Sequence, residues 1–242
     1  MGNESGTWIM YGVSEKNPLC IHTVDEAIKY INKVGFLPLF KNEIEGFSLE
    51  ERTVSKYWWT GNEKRDPWFW RTVIARDKNI AYGKFFDKKA GFISKKWIPV
   101  FANYRRDGYD FDALFDDGKA PHKYKKIMDN FINNYDLEIM SNELKEISGF
   151  GKDGEKGYDG AITNLMMQCY LCNCDFKKKK NKKGVEYGWD VALYSSLEHI
   201  FGYDYVRSCY GNSKEESWEK IYKHMKKLFP EATEKEIKKV LK

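Results

Sequence analysis

Apolar residues recur with two different periods along this chain. Val24, Ala27, Ile28 and Ile31 fall at i, i+3, i+4 and i+7 behind Thr23 and Glu26, which have the spacing of a capping box, so a helix is predicted that Gly35 ends. Residues 1–22 carry no clear period and read as an irregular lead-in. Phe36 to Phe40 is a continuous apolar run interrupted by Pro38, and 41–65 is a polar, charge-mixed stretch of helix and loop around Tyr57, Trp58 and Trp59. After Pro121 the helical period returns. It predicts helices over 122–134 (Tyr124, Ile127, Met128, Phe131 inward), 141–148 (Leu144, Ile147) and, past a Gly-rich turn, 154–168 (Tyr158, Ala161, Ile162, Leu165, Met166).

Near Cys169 the period drops to two. Residues 171–176 alternate, a lysine run follows up to Gly184, and Val185, Tyr187, Trp189, Val191 and Leu193 make one face of a second strand. Three helices and a hairpin are the element order of a winged helix. Capping boxes at Ser213/Glu216 and Thr233/Glu236 open two last helices, separated by Pro230, with Trp218, Ile221, Tyr222, Met225 and then Ile237, Val240, Leu241 inward. The pattern predicts an α+β, mainly helical fold: winged-helix module(s) with a small aromatic-rich β region. It divides into an N-terminal helical/β region (1–121), a winged-helix domain (122–193) and a C-terminal helical pair (194–242).

Composition narrows the class. With 242 residues, 42% of them hydrophobic and 16% aromatic, the chain can build a core without disulfides and long disorder is excluded. No stretch approaches the roughly 18 apolar residues of a membrane span, and the opening MGNESGTWIMYG lacks the basic and apolar regions of a signal peptide. A soluble cytoplasmic protein without a membrane partner is expected. Cys169, Cys172 and Cys174 have partial metal-ligand spacing. However, Cys172 and Cys174 alternate with Asn173 and Asp175 as packed strand residues would, so no metal and no cofactor is expected.

The net charge of +5 is local: the run Lys177, Lys178, Lys179, Lys180, Asn181, Lys182, Lys183 alone carries six positive charges. Of 41 basic residues only seven are arginine. Lysine suits phosphates and arginine suits bidentate reading of bases, so a lysine-bearing hairpin predicts backbone contact with duplex DNA and weak sequence dependence. The third helix agrees. Its outward candidates are Lys156, Thr163, Asn164 and Met167, with the acids Asp153, Glu155 and Asp159 close by and no arginine to grip guanine.

Aromatic residues crowd 66–109. Most rings there are expected in the core, but Trp68, Trp70, Arg71, Tyr82 and Lys84 set rings beside cations, the composition of a pocket that stacks on an extruded base or holds an anionic ligand. There is no P-loop, no GxSxG and no HExxH, and the four histidines show no paired spacing.

The blocks WFWR (68–71), IAYGKFF (80–86), KAGFIS (89–94) and WIPVFANY (97–104), followed by three helices, a lysine-bearing hairpin and a helical pair, are similar to the AlkZ-related proteins, relatives of the AlkZ-type winged-helix DNA glycosylases. The resemblance spans residues 23–242. It implies tandem winged-helix modules beside a small β region, and in the glycosylase members the excision of alkylated bases and the opening of interstrand crosslinks. Those enzymes position water with a Gln-x-Gln or Gln-x-Asp motif after the first helices. The matching run here is Pro38-Leu39-Phe40, with no polar side chain, and Gln168 is the only glutamine of the chain. Glu43 and Glu45 are the nearest carboxylates in sequence that could substitute. The expectation is a DNA-binding protein without the family's catalytic motif. The alternatives are an active glycosylase that uses a different acid, and a ligand-binding or protein-interaction module.

Overall fold

The structure is a computed structural model and describes residues 10–132, 138–152 and 154–241. It is an α+β assembly of helices around one six-stranded antiparallel sheet. In chain order the elements are α1 (Val24–Val34), β1 (Phe36–Pro38), α2 (Pro67–Ala75), β2 (Ile80–Phe86), β3 (Lys89–Ser94), α3 (Ile98–Arg106), α4 (Phe111–Asp116), α5 (His122–Ile132), β4 (Ile139–Met140), α6 (Ser141–Ile147), α7 (Tyr158–Met167), β5 (Leu171–Lys180), β6 (Glu186–Ser196), α8 (Leu197–Phe201), α9 (Tyr203–Val206), α10 (Lys214–Leu228) and α11 (Glu234–Leu241).

Local chemistry sets the helix ends. Thr23 caps α1 by accepting the Glu26 amide at 3.2 Å, while the Glu26 carboxylate turns back to the His22 amide at 2.7 Å instead of that of Thr23, so the predicted box is closed one residue early. The boxes at Ser213/Glu216 and Thr233/Glu236 are reciprocal, as their spacing predicts. Gly35 ends α1 with φ +89°, and a Cβ there would lie 2.3 Å from the Trp97 indole nitrogen. In α2 the N-cap is Asp66, almost fully buried, whose carboxylate collects the amides of Trp59, Gly61 and Trp68 at 2.9–3.1 Å.

The strand order is β1-β3-β2-β5-β6-β4. Pro38 lies in β1, an edge strand, where its missing N–H leaves no inner ladder bond unmade. Two hairpins, β2-β3 and β5-β6, meet at one register pair, Tyr82 opposite Asn173. One continuous hydrophobic cluster spans all three regions that the sequence distinguishes, from Ile21 to Leu241. Trp70, Phe85, Phe86, Phe92 and Phe101, each 2% exposed or less, fill its centre. No helix among the described residues is long and apolar enough to cross a membrane.

Two boundaries differ from the sequence pattern, and a third falls outside the described residues. Helix α7 begins at Tyr158 and not at 154, because Gly157 takes φ +95° immediately before it. Of the helix predicted over 122–134, Asn133 and Asn134 lie outside the described residues, as does Asp153 of the Gly-rich turn. The lysine run is mostly strand: Lys177 to Lys180 continue β5, and only Lys182 and Lys183 sit in the turn.

Cys172 and Cys174 do alternate inward along β5. Burial pushes the Cys174 thiol up to about 12 and that of Cys172 well above the ordinary range. Such thiols stay protonated and unreactive at neutral pH. Iodoacetamide at pH 8 is therefore expected to leave both unmodified in the native protein and to alkylate them once denaturant is added. Mass-spectrometric mapping that found either one labelled without denaturant would contradict this packing.

Candidate nucleic-acid interface and its cavity

The outer half of the β5-β6 hairpin stands free of the body. Every residue from Lys180 to Asp190 is exposed, and Val185, Tyr187 and Trp189, predicted as part of one face of the second strand, are 59%, 52% and 93% exposed. The alternation is present, but no described helix lies over that end, so it faces solvent. Gly188 takes φ +76° and the register jumps, pairing Lys177 with Val191 but Lys179 with Tyr187, so a bulge carries Trp189 outward. Lys177, Lys178, Lys180, Lys182 and Lys183 are exposed and Lys179 is half-buried. None of the six is ion-paired with a described residue, whereas lysines elsewhere are, such as Lys125 with Asp129 at 2.6 Å and Lys126 with Glu155 at 2.8 Å. Glu186 and Asp190 are the only acids on this arm.

Helix α7 is a poor groove reader in its present setting. Thr163 is not on an outer face: it is buried, donates to the Asp159 carbonyl at 2.7 Å and accepts from the Lys84 ammonium at 3.2 Å. Met167 likewise accepts the Lys88 amide, and Asn164 is half-buried. The β2-β3 hairpin covers that side. Of α7 itself only Asp159 and Gly160 are exposed, and Lys156 precedes the helix. With polar Asp159, Thr163 and Asn164 along it, the helix gave no sign in sequence that the Thr163 side is covered.

At the root of the arm lies a cavity of about 500 Å³. Helix α2 contributes Trp68 and Arg71, β2 Tyr82 and Lys84, β5 Asn173 and Phe176, and the segment after β1 contributes Phe40, Lys41 and Glu50. Trp68 and Arg71 are three apart and share a helix face. Trp70 points the other way, is fully buried and donates its indole N–H to the Lys64 carbonyl at 3.2 Å, so it is a core residue and does not line the cavity. The Arg71 guanidinium is held between the Trp68 and Phe176 rings, 4.0 and 3.9 Å from their centroids. Its Nε has no hydrogen-bond partner. Burial holds its pKa below the usual arginine value, partly offset by Tyr82. Burial also pushes the Tyr82 phenol up to about 12 in spite of Arg71.

The carboxylates are distributed otherwise than the sequence suggests. Glu43 is paired with Lys239, whose hydrogen bond holds its carboxyl below the ordinary range, and Glu45 is exposed. Both line a different concavity, beside the α10–α11 turn. The carboxylate in the main cavity is Glu50, 3% exposed, whose two oxygens accept the amides of Tyr11 at 2.7 Å and Lys41 at 2.8 Å. Nothing in its flanking residues signals this. Of the run after Gly35 and Phe36, Leu39 is buried and Phe40 presents a ring to the cavity, 6.4 Å from that of Trp68.

The described chain is thus a helix-clad antiparallel sheet with a lysine-bearing hairpin beside an aromatic cavity. The chain belongs to the AlkZ-related family, whose family model, described as AlkZ related, matches residues 21–242. No curated protein and no solved structure matches it.

Proposed function

We propose that this chain is a winged-helix DNA-binding protein, with α5, α6 and α7 as the helices and β5-β6 as the wing, which holds duplex DNA by its backbone. Membership of the AlkZ-related family supports an association with DNA. The observation that carries the reading is the arm itself: six lysines, none ion-paired with a described acid, on a hairpin whose outer half is exposed throughout. Phosphates are the partners that such unpaired, flexible cations suit. Trp189, exposed on the same arm, could add stacking on an unpaired base. With Thr163 buried and Asp159 outermost on α7, base-edge reading has no side chains to rely on.

A second reading, hydrolysis of damaged bases with an acid in place of the missing motif, is favoured by one observation, the place of Glu50 inside the cavity. Both of its oxygens are occupied by backbone amides, which suits a structural anchor better than a base for water. The expected result with DNA carrying alkylated bases is retention of the DNA and no free base by mass spectrometry. Base release by the wild-type protein that is lost in Glu50→Gln would establish the second reading instead.

A further inference from the structure

We propose that the cavity at the root of the hairpin is a receptor for a phosphorylated planar ligand, of the chemical class of a nucleoside monophosphate, with Arg71 as its oxyanion clamp. This does not rest on the DNA-binding role of the wing, since none of the six wing lysines lines the cavity.

The charge in the cavity is one-sided. Lys41, Arg71, Lys84, Lys88 and Lys89 line it against a single acid, Glu50, whose oxygens already accept two backbone amides. Arg71 is only 8% exposed and no described carboxylate lies within ion-pair reach of it. Asp190 and Asp66 favour its charge from farther off, but a guanidinium buried without a direct ion pair is costly. What the structure provides instead is packing: the Trp68 and Phe176 rings lie 4.0 and 3.9 Å from the guanidinium and hold its fork, Tyr82 engages part of it, and the Nε edge has no partner. An oxyanion delivered to that edge meets a group that is already oriented and desolvated, so little ordering remains to be done on binding.

The rest of the cavity suits a ring and not a bare ion. Phe40, Tyr82 and Tyr194 add aromatic walls, and a volume of about 500 Å³ exceeds what phosphate alone would fill. The side-chain Oδ1 of Asn173 is buried at the cavity with no hydrogen-bond partner, an acceptor available to an N–H on the edge of that ring. Asn173 is also the register partner of Tyr82, which itself engages Arg71, so the junction of the two hairpins puts this acceptor in the same cavity as the clamp. Two orphaned polar groups of opposite kind in one aromatic cavity are the complement of an anion joined to a polar-edged ring.

Calorimetric titration of the full chain with adenosine 5′-monophosphate, adenosine and inorganic phosphate tests this without any mutation. The monophosphate is expected to bind one-to-one and at least about tenfold tighter than either fragment, the scale of a charge-assisted bidentate contact. Arg71→Lys, which keeps the charge and loses the fork, should weaken it about tenfold or more. Asn173→Ala should weaken it by a smaller factor, and changing Lys177 to Lys180 to alanine should leave it unchanged. The same chemistry could arrive as an extruded nucleotide of a duplex. In that case the monophosphate binds poorly, but a duplex with one unpaired adenine loses affinity in Arg71→Lys relative to its fully paired counterpart. Measurable binding of adenosine as tight as that of its monophosphate would overturn the proposal, as would the absence of an Arg71→Lys effect on both the mononucleotide and the unpaired-base duplex.

Discussion

Replacing Arg106 by methionine is expected to destabilise the protein by about 3–5 kcal/mol, the usual cost of breaking a buried ion pair from one side. Its side chain is completely buried and sits where four segments meet. The guanidinium bonds Glu198 of α8, the Tyr210 hydroxyl at 3.0 Å, and the carbonyls of Gln168 and Cys169 at the end of α7, while lying 4.3 Å from the centre of the Tyr170 ring. Burial alone would lower its pKa, but Glu198 and Tyr210 more than reverse that, so the charge is kept. Methionine fills the volume but leaves two carbonyls and a carboxylate unanswered. For a chain of this size the loss corresponds to a fall in Tm of about 10 °C. Lys125→Ala, which breaks only the exposed pair with Asp129, should change stability by no more than about 0.5 kcal/mol. Chemical denaturation showing equal effects for the two variants would mean that the Arg106 cluster does not hold these segments together.

The second large effect is on binding. Changing Lys177, Lys178, Lys179 and Lys180 together to alanine is expected to reduce duplex affinity by up to about a thousandfold at 0.1 M salt, if four phosphate contacts are lost. The loss should be the same for unrelated sequences, because phosphate contacts carry no base information. Stability should hardly change, since three of the four side chains are exposed and none is ion-paired with a described residue. An intact fold with undiminished affinity would make the run a solvated strand and nothing more.

The features legible in the sequence were those written in short-range chemistry. The caps at Thr23, Ser213 and Thr233 and the inward positions of α1, α10 and α11 follow from spacing within one or two turns. The change of period near Cys169 marks the hairpin for the same reason. Long-range neighbours erased the rest. Thr163 has the position of an outer-face residue on α7, yet the β2-β3 hairpin, about 80 residues earlier, covers it through Lys84. Val185, Tyr187 and Trp189 alternate like buried strand residues because alternation records a possible face and not whether anything packs on it. Trp70 and Trp68 look alike in a run of rings, and the helical spacing from Arg71 is what separates core from cavity. Glu50 was invisible: its burial depends on amides of residues 9 and 39 positions away.

The most direct test of a backbone-binding wing is the salt dependence of wild-type affinity for two unrelated duplexes, measured by fluorescence anisotropy between 50 and 200 mM salt. Backbone binding predicts two nearly coincident lines of log affinity against log salt, with a slope of about −3.6 for four phosphate contacts, about 0.9 for each. A slope near zero, or a strong preference for one duplex that persists at high salt, would contradict it.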